Sequence, residues 1–345
     1  MKKAGFLGLI SILLFSCNQS DKLAHINRAF YYWKSDYTET SEVAALQKYQ
    51  THTLYVKYFE IDYSEAMGNY PLDKTQVGRY DNQQLDSVSI VPTIYIKNEI
   101  FKFNKKHDLV KLADNIVYLV DKYNKEKFKN TTIASEIQVD CDWTKSTKEN
   151  YFYLLQKIKE LSKRNISCTL RLYPYKYPEI MGTPPVDRVM LMCYNLVKPL
   201  TDGNKNSILD LKELESYLTV KKEYPIPMDI ALPMYSWTQW YQNNHFSGLL
   251  TMGSKEIQSF AKPIKPMWYE VTKDTSMNYE TYFRKGDQLK CEEVDRKLLL
   301  DAISLIKKKV VLHDECTIAL FHLDQSILNQ FTHEEINGFY TAFTK

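Results

Sequence analysis

Glycine is scarce. Ten glycines occur in 345 residues, and none form a Gly-rich run after an apolar stretch. This argues against a doubly wound nucleotide-binding sheet, whose first turn needs such a loop. No C-x-x-C pair occurs among the six cysteines, so neither a zinc ribbon nor a redox dithiol is indicated. No H-E-x-x-H, no G-x-S-x-G and no spaced set of histidines occurs, and neither a metal nor any other cofactor is expected. Charge of one sign is also missing. The formal balance is +3, and without Lys2 and Lys3 it is 43 basic residues to 42 acidic. That leaves no electrostatic footprint for nucleic acid. No repeat with a period of 20–50 residues is found. A calcium-loop reading of "DGNKNSILD", residues 202–210, fails because the acid at the twelfth position is absent.

What is present begins with an address. "MKK" precedes the twelve-residue apolar run "AGFLGLISILLF", which ends in "LFSC". The run is too short to cross a bilayer comfortably. Its layout resembles the lipobox of bacterial lipoproteins. The expectation is a signal peptide over residues 1–17, a lipid on Cys17, a tether over 18–28, and a monomeric domain anchored at the bacterial cell envelope, on the outer membrane or cell surface. The other five cysteines read as packed thiols, with one disulfide left open.

Beyond the tether, short β-branched and aromatic runs alternate with amphipathic ones. Eight strands are predicted: 29–33, 54–62, 88–96, 135–143, 166–173, 188–196, 228–237 and 316–324. Helices are predicted over 42–50, 108–128, 148–163, 209–218, 292–309 and 332–343, with apolar residues at helical spacing such as Leu109, Leu112, Ile116 and Leu119. Alternating strands and helices argue for parallel β units, and eight of them for a (β/α)8 TIM barrel over 29–345. An aromatic-rich insertion is expected at about 239–288, between strands 7 and 8. It carries Trp240 and Trp268.

In such a barrel, chemistry collects at the C-terminal strand ends. Those ends offer Trp33, Glu60, Asp62, Asp140, Asp142, Arg171, Tyr194, Asn195, Tyr235, Trp237, His322 and Asp324. Acids among aromatics suit a carbohydrate: ring faces stack on aromatic side chains, and glycosidic cleavage uses paired carboxyl groups. With 26 tyrosines in the chain, some tyrosines at strand ends are expected by chance. "SEIQVDCDWT", residues 135–144, is the sharpest feature. Alternation places Glu136, Gln138, Asp140 and Asp142 on one face.

That segment resembles the fourth-strand signature of family 18 glycoside hydrolases, D-G-x-D-x-D-x-E. Aligned on alternation, Gln138 and Asp140 take two aspartate places and Asp142 takes that of the catalytic glutamate. "VMLMCYNL" resembles that barrel's sixth strand, ending in Tyr194-Asn195, and "IALPMYSW" its seventh. The combination is also similar to a group of exported bacterial proteins with an Asp-x-Asp fourth strand. The resemblance implies Asp142 as proton donor, supported by Asp140, with Tyr194, Asn195, Tyr235, Trp237, Trp33 and Asp324 at the substrate. It departs from the family in the shorter acid and in the absence of a tryptophan at the end of strand 8. Two functions stay open: a glycosidase acting on a polysaccharide, or a glycan-binding or scaffold lipoprotein built on the same barrel without turnover, in which Arg171 and Lys57 are structural counter-charges.

Overall fold

The structure is a computed structural model. It describes residues 23–35, 39–72, 74, 88–128, 132–220, 222–277 and 281–345. The leader, Cys17 and residues 18–22 of the tether lie outside these residues.

Eight parallel strands close a barrel: β1 (Ile26–Tyr32), β2 (Thr53–Ser64), β3 (Ser89–Ile96), β4 (Glu136–Asp140), β5 (Asn165–Leu170), β6 (Arg188–Met192), β7 (Met228–Pro233) and β8 (Cys316–Phe321). Each pairs with the next. The pairing of β1 with β8 closes the circle. The expected (β/α)8 barrel is therefore the fold. The eight predicted strands are the eight found, although most are shorter. The tether ends sooner than residue 28, because Ile26–Arg28 already pair with Cys316–Ile318.

Strands covered by helices on one side and barrel core on the other read as near-continuous apolar runs. β7 (Met-Asp-Ile-Ala-Leu-Pro) is buried at every position. The longer helices are α1 (Thr40–Lys48), α2 (Lys106–Lys127), α3 (Lys148–Ser162), α4 (Leu211–Leu218), α5 (Arg296–Lys309) and α6 (His333–Thr341). The apolar stripe of α2, Leu109, Leu112, Ala113, Ile116 and Val120, is buried as its spacing predicts. Asp295 caps α5 by accepting from Leu298 N at 2.7 Å, and Lys307–Lys309 close its last turn, where a helix favours cations. The N-cap residue of α3 is Thr147.

The stripe on β4 does face inward. Tyr31 Oη donates to Gln138 Oε1 at 2.7 Å, and Gln138 Nε2 donates to Ser167 at 3.4 Å. Ser167 in turn donates to Glu136. Nearer the strands' N-terminal ends, Arg188 pairs with Asp229 at 2.8 Å. The opposite phase, Ile137, Val139 and Cys141, is fully buried. Trp143 continues that phase, stacking on Tyr151 at 5.2 Å and donating to Met181 O at 3.2 Å. All five described cysteines are buried and free.

The insertion starts where β7 was expected to end. Pro233 closes the strand, and Trp237 opens a separate antiparallel sheet of five strands: Trp237–Gln242, His245–Leu250, Ala261–Lys265, Trp268–Val271 and Gln288–Glu292. Glu292, expected to begin the following helix, ends this sheet instead. The sheet has its own small core, including Ile257, Phe260, Phe283 and Leu289. Lys290 and Glu292 pin it to the barrel. Their side chains are 1% and 0% exposed and lie 2.7 Å apart. Lys290 Nζ donates to the carbonyls of Asp202 and Lys205 at 2.8 and 2.7 Å, which occupies the loop that faintly resembled a calcium site. Glu292 accepts from Ser207 N at 3.0 Å, Ser207 Oγ at 2.6 Å, Gln239 Nε2 at 3.0 Å and Trp237 Nε1.

Candidate functional site

An open cavity of about 210 Å³ lies at the C-terminal ends of the strands, lined by Trp33, Glu60, Tyr95, Asp140, Asp142, Arg171, Met192, Tyr194, Asn195 and Phe321. Each lining residue is placed by a strand or by the turn just beyond it. The end of β4 supplies both aspartates, two residues apart and therefore in one phase.

The two differ sharply in environment. Asp140 is the last residue of β4 and half-buried. Burial, then the neighbouring Asp142 charge, pushes its carboxyl up to about 6. A hydrogen bond from Thr169 Oγ1 at 2.5 Å and the charge of Arg171 act the other way. Asp142, outside the strand, is exposed, and its Oδ1 lies 3.0 Å from Arg171 Nε. The acid of the pair that is held towards its protonated form is thus Asp140, whereas the resemblance assigned proton donation to Asp142. The reason is depth: one alternation further out, the aspartate reaches solvent and a guanidinium.

The third carboxyl group, Glu60, sits on β2 and pairs with the buried Lys57 at 2.9 Å. It too adds to the field that raises Asp140. Asp62 instead pairs with Lys97 at 2.5 Å. The aromatic walls are Trp33, Tyr95 and Phe321. Trp33 packs on Phe321 with ring centroids 5.9 Å apart. The Tyr95 hydroxyl is pushed well up by burial and by the charges of Asp140 and Asp142. Tyr194 is 2% exposed, and its hydroxyl is buried without a hydrogen-bond partner.

Five of the eight residues expected at the site line the cavity: Asp140, Asp142, Trp33, Tyr194 and Asn195. Tyr235 stands one step behind, donating to Asn195 Oδ1 at 2.5 Å. Two are spent elsewhere. Trp237 gives its indole N–H to Glu292 and belongs to the insertion sheet. Asp324 pairs with Lys34 at 3.2 Å and caps the short helix Gln325–Leu328 through Ser326 N at 2.8 Å. Tyr95, Met192 and Phe321 were missed. Tyr95 and Met192 lie in predicted strands, and Phe321 is the last residue of β8. Alternation gave their phase, but only closure of the barrel brings the ends of β3, β6 and β8 together.

The fourth-strand signature also fits one alternation later, with Asp140 and Asp142 on its two aspartates and Thr144 on its glutamate. Thr144 is exposed, and its N–H bonds Thr147 Oγ1 at 2.9 Å in the turn that opens α3. In neither register does the chain place a glutamate there.

No family model matches the chain, and no curated protein does. Solved structures do. The chain is similar to the spore cortex-lytic enzyme SleL of Bacillus cereus, at 14% identity and a TM-score of 0.54, covering 93% of this chain and 75% of that one. It is similar to the GH18 chitinase ChiB of Flavobacterium johnsoniae, at 11% identity and a TM-score of 0.51, over 92% and 94% of the two chains. It is likewise similar to the Group IV chitinase of Ostrinia furnacalis, at 11% and 0.52, over 93% and 100%. At these identities what is shared is the fold, a barrel of the chitinase-like, glycosidase type.

Proposed function

We propose that the protein acts on a glycan and hydrolyses a glycosidic bond in this cavity. One observation carries the reading: an open cavity at the working end of a glycosidase-type barrel, in which Asp140 is raised to about 6 beside a second acid, between aromatic walls. A carboxyl group that keeps its proton near neutrality is what protonation of a glycosidic oxygen needs. Asp140 gives its proton to the leaving oxygen. Water adds to the anomeric carbon, and Glu60 takes the water's proton. Strands β2 and β4 are two apart, roughly 9–10 Å between backbones. That leaves room for a water between the two carboxyl groups, the arrangement that inverts the anomeric centre.

The chain's place in the cell is part of the same proposal. The leader over 1–17 delivers it across the membrane, and a lipid on Cys17 holds it at the envelope. Lipid labelling of the full chain in bacteria should vanish in Cys17→Ser.

The test of the activity uses residues 18–345 and a panel of cell-wall and host polysaccharides. Reducing-end release by the unaltered protein, abolished in Asp140→Asn and in Glu60→Gln, is expected. A second reading, glycan binding without cleavage, is favoured by the Arg171–Asp142 ion pair, which occupies the outer acid, and by the missing glutamate. Retained glycan binding with no product from the unaltered protein would decide for it.

A further inference from the structure

Lys57 and Glu60 are three residues apart in β2, yet their side chains meet at 2.9 Å. In a regular strand, residues three apart point to opposite faces. The register with β3 explains the meeting. Lys57 is level with Thr93, but the next residue of β3, Ile94, is level with Phe59. Tyr58 is therefore the extra residue of a β-bulge. One extra residue reverses the phase of every side chain beyond it.

The side chains follow that reversal. Tyr58 and Phe59 are consecutive, yet both turn outward onto α2, with ring centroids 5.6 and 6.0 Å from that of Tyr123. Tyr58 also stacks on Phe128 at 5.3 Å and donates to Asn124 Oδ1 at 2.7 Å. Lys57 and Glu60, on either side of the two aromatics, face the barrel. Beyond the bulge Glu60 is level with Tyr95, and Tyr95 is level with Asp140. All three line the cavity. Without the bulge the same sequence would put Phe59 on that rung and turn Glu60 towards α2.

Lys57 sits one step deeper. Its side chain is 3% exposed, and its ammonium lies 5.7 Å from the ring centroid of Trp33, a wall of the cavity. A buried ammonium is costly without an anion in contact, and the bulge brings Glu60 to it. We infer that Lys57 is a positioning residue for the reaction: its ammonium fixes the Glu60 carboxylate on the rung of Asp140, with the Trp33 ring beside it. The inference rests on the hydrolytic reading above, in which Glu60 takes the proton of the attacking water.

The test has two arms, both on residues 18–345. The first needs no activity. All five cysteines of that stretch are buried, so a thiol placed in the cavity is the one that methyl methanethiosulfonate reaches. Glu60→Cys should be modified several-fold faster than Phe59→Cys. The reverse order would remove the bulge, and with it the reach of Lys57, and would overturn the inference.

The second arm measures kinetics on the polysaccharide that the unaltered protein cleaves. In Lys57→Met, kcat should fall about hundredfold, the cost of misplacing a reacting group by about 1 Å, with KM little changed, since no substrate contact is lost. Lys57→Gln, which can still donate to Glu60, should lose less. An unchanged kcat in both variants would overturn the positioning role and leave hydrolysis standing. So would a fall no larger than the unfolded fraction read by circular dichroism on the same samples. No cleavage by the unaltered protein would overturn hydrolysis, and this role with it, whatever the thiols report.

Discussion

Arg171 Nε and Asp142 Oδ1 lie 3.0 Å apart at the rim of the cavity, one from the turn just past β5 and one from β4's own extension. The pair spans two neighbouring strand ends, so each partner also tunes the acid between them. Arg171 lowers the proton affinity of Asp140, and Asp142 raises it.

Removing the cation should therefore raise that affinity. In Arg171→Met, Asp140 should titrate above its present value of about 6, because its charged form loses a favourable neighbour. Carboxyl-carbon NMR titration measures the shift directly. A drop would contradict the electrostatic arrangement described here. Global stability should change little, by about 0–1 kcal/mol, as for other solvent-exposed pairs.

Asp142→Asn should move Asp140 the opposite way. With the second acid gone, less repulsion opposes ionisation. The Asp140 titration should fall, and the alkaline limb of any pH–activity profile, which reports loss of the acid's proton, should move to lower pH with it. An unchanged profile would detach Asp140 from the chemistry.

Asp140 also makes stability depend on pH. Its folded value of about 6 lies above the roughly 3.9 of an unfolded aspartate. Between those values the folded chain binds more protons than the unfolded one, so stability falls as pH rises through that window and levels off above it. Asp229, raised to about 7 chiefly by burial, acts in the same direction. Asp140→Asn keeps the shape and removes the charge. Its melting temperature should exceed that of the unaltered protein at pH 7 and converge with it near pH 4, as thermal scans at both values would show.

The insertion depends on a different ion pair. Glu292→Gln leaves the ammonium of Lys290 buried without its carboxylate. Stranding one member of a buried pair costs about 3–5 kcal/mol. Denaturant titration should find a loss of that order. A loss under about 1 kcal/mol, the level of a surface pair, would mean that the carbonyls of Asp202 and Lys205 suffice for Lys290.

Much of this was legible beforehand because it is local. A parallel strand buried on both faces leaves an apolar run, and β7 and β8 are such runs. Alternation along residues 135–144 placed Asp140 and Asp142 together without any knowledge of the barrel. The errors arose where a segment's role is set from far away. Trp237 looks like the end of a strand, but its indole is claimed by Glu292, 55 residues on. Asp324 has the same side chain as Asp140, but its neighbours Ser326 and Lys34 make it a helix cap. Tyr95 carried no local signal, since a tyrosine in a predicted strand gives no sign that two acids from β4 will stand beside it. Nor does alternation tell which of two in-phase acids keeps its proton, because depth in the barrel is a property of the closed sheet.

The buried Glu292 has one more consequence. Asn195 in the cavity wall is bonded to Tyr235, Tyr235 packs on Trp237 at 5.5 Å, and Trp237 is bonded to Glu292. Three contacts thus run from the cavity rim into the root of the added sheet. Such a buttress leaves that side of the mouth little freedom to swing, so that, on the proposed glycan reading, a polymer emerging past β7 would run along a fixed ledge. A long chain would then be told from a short one by how much of that ledge it covers, with no closing movement required.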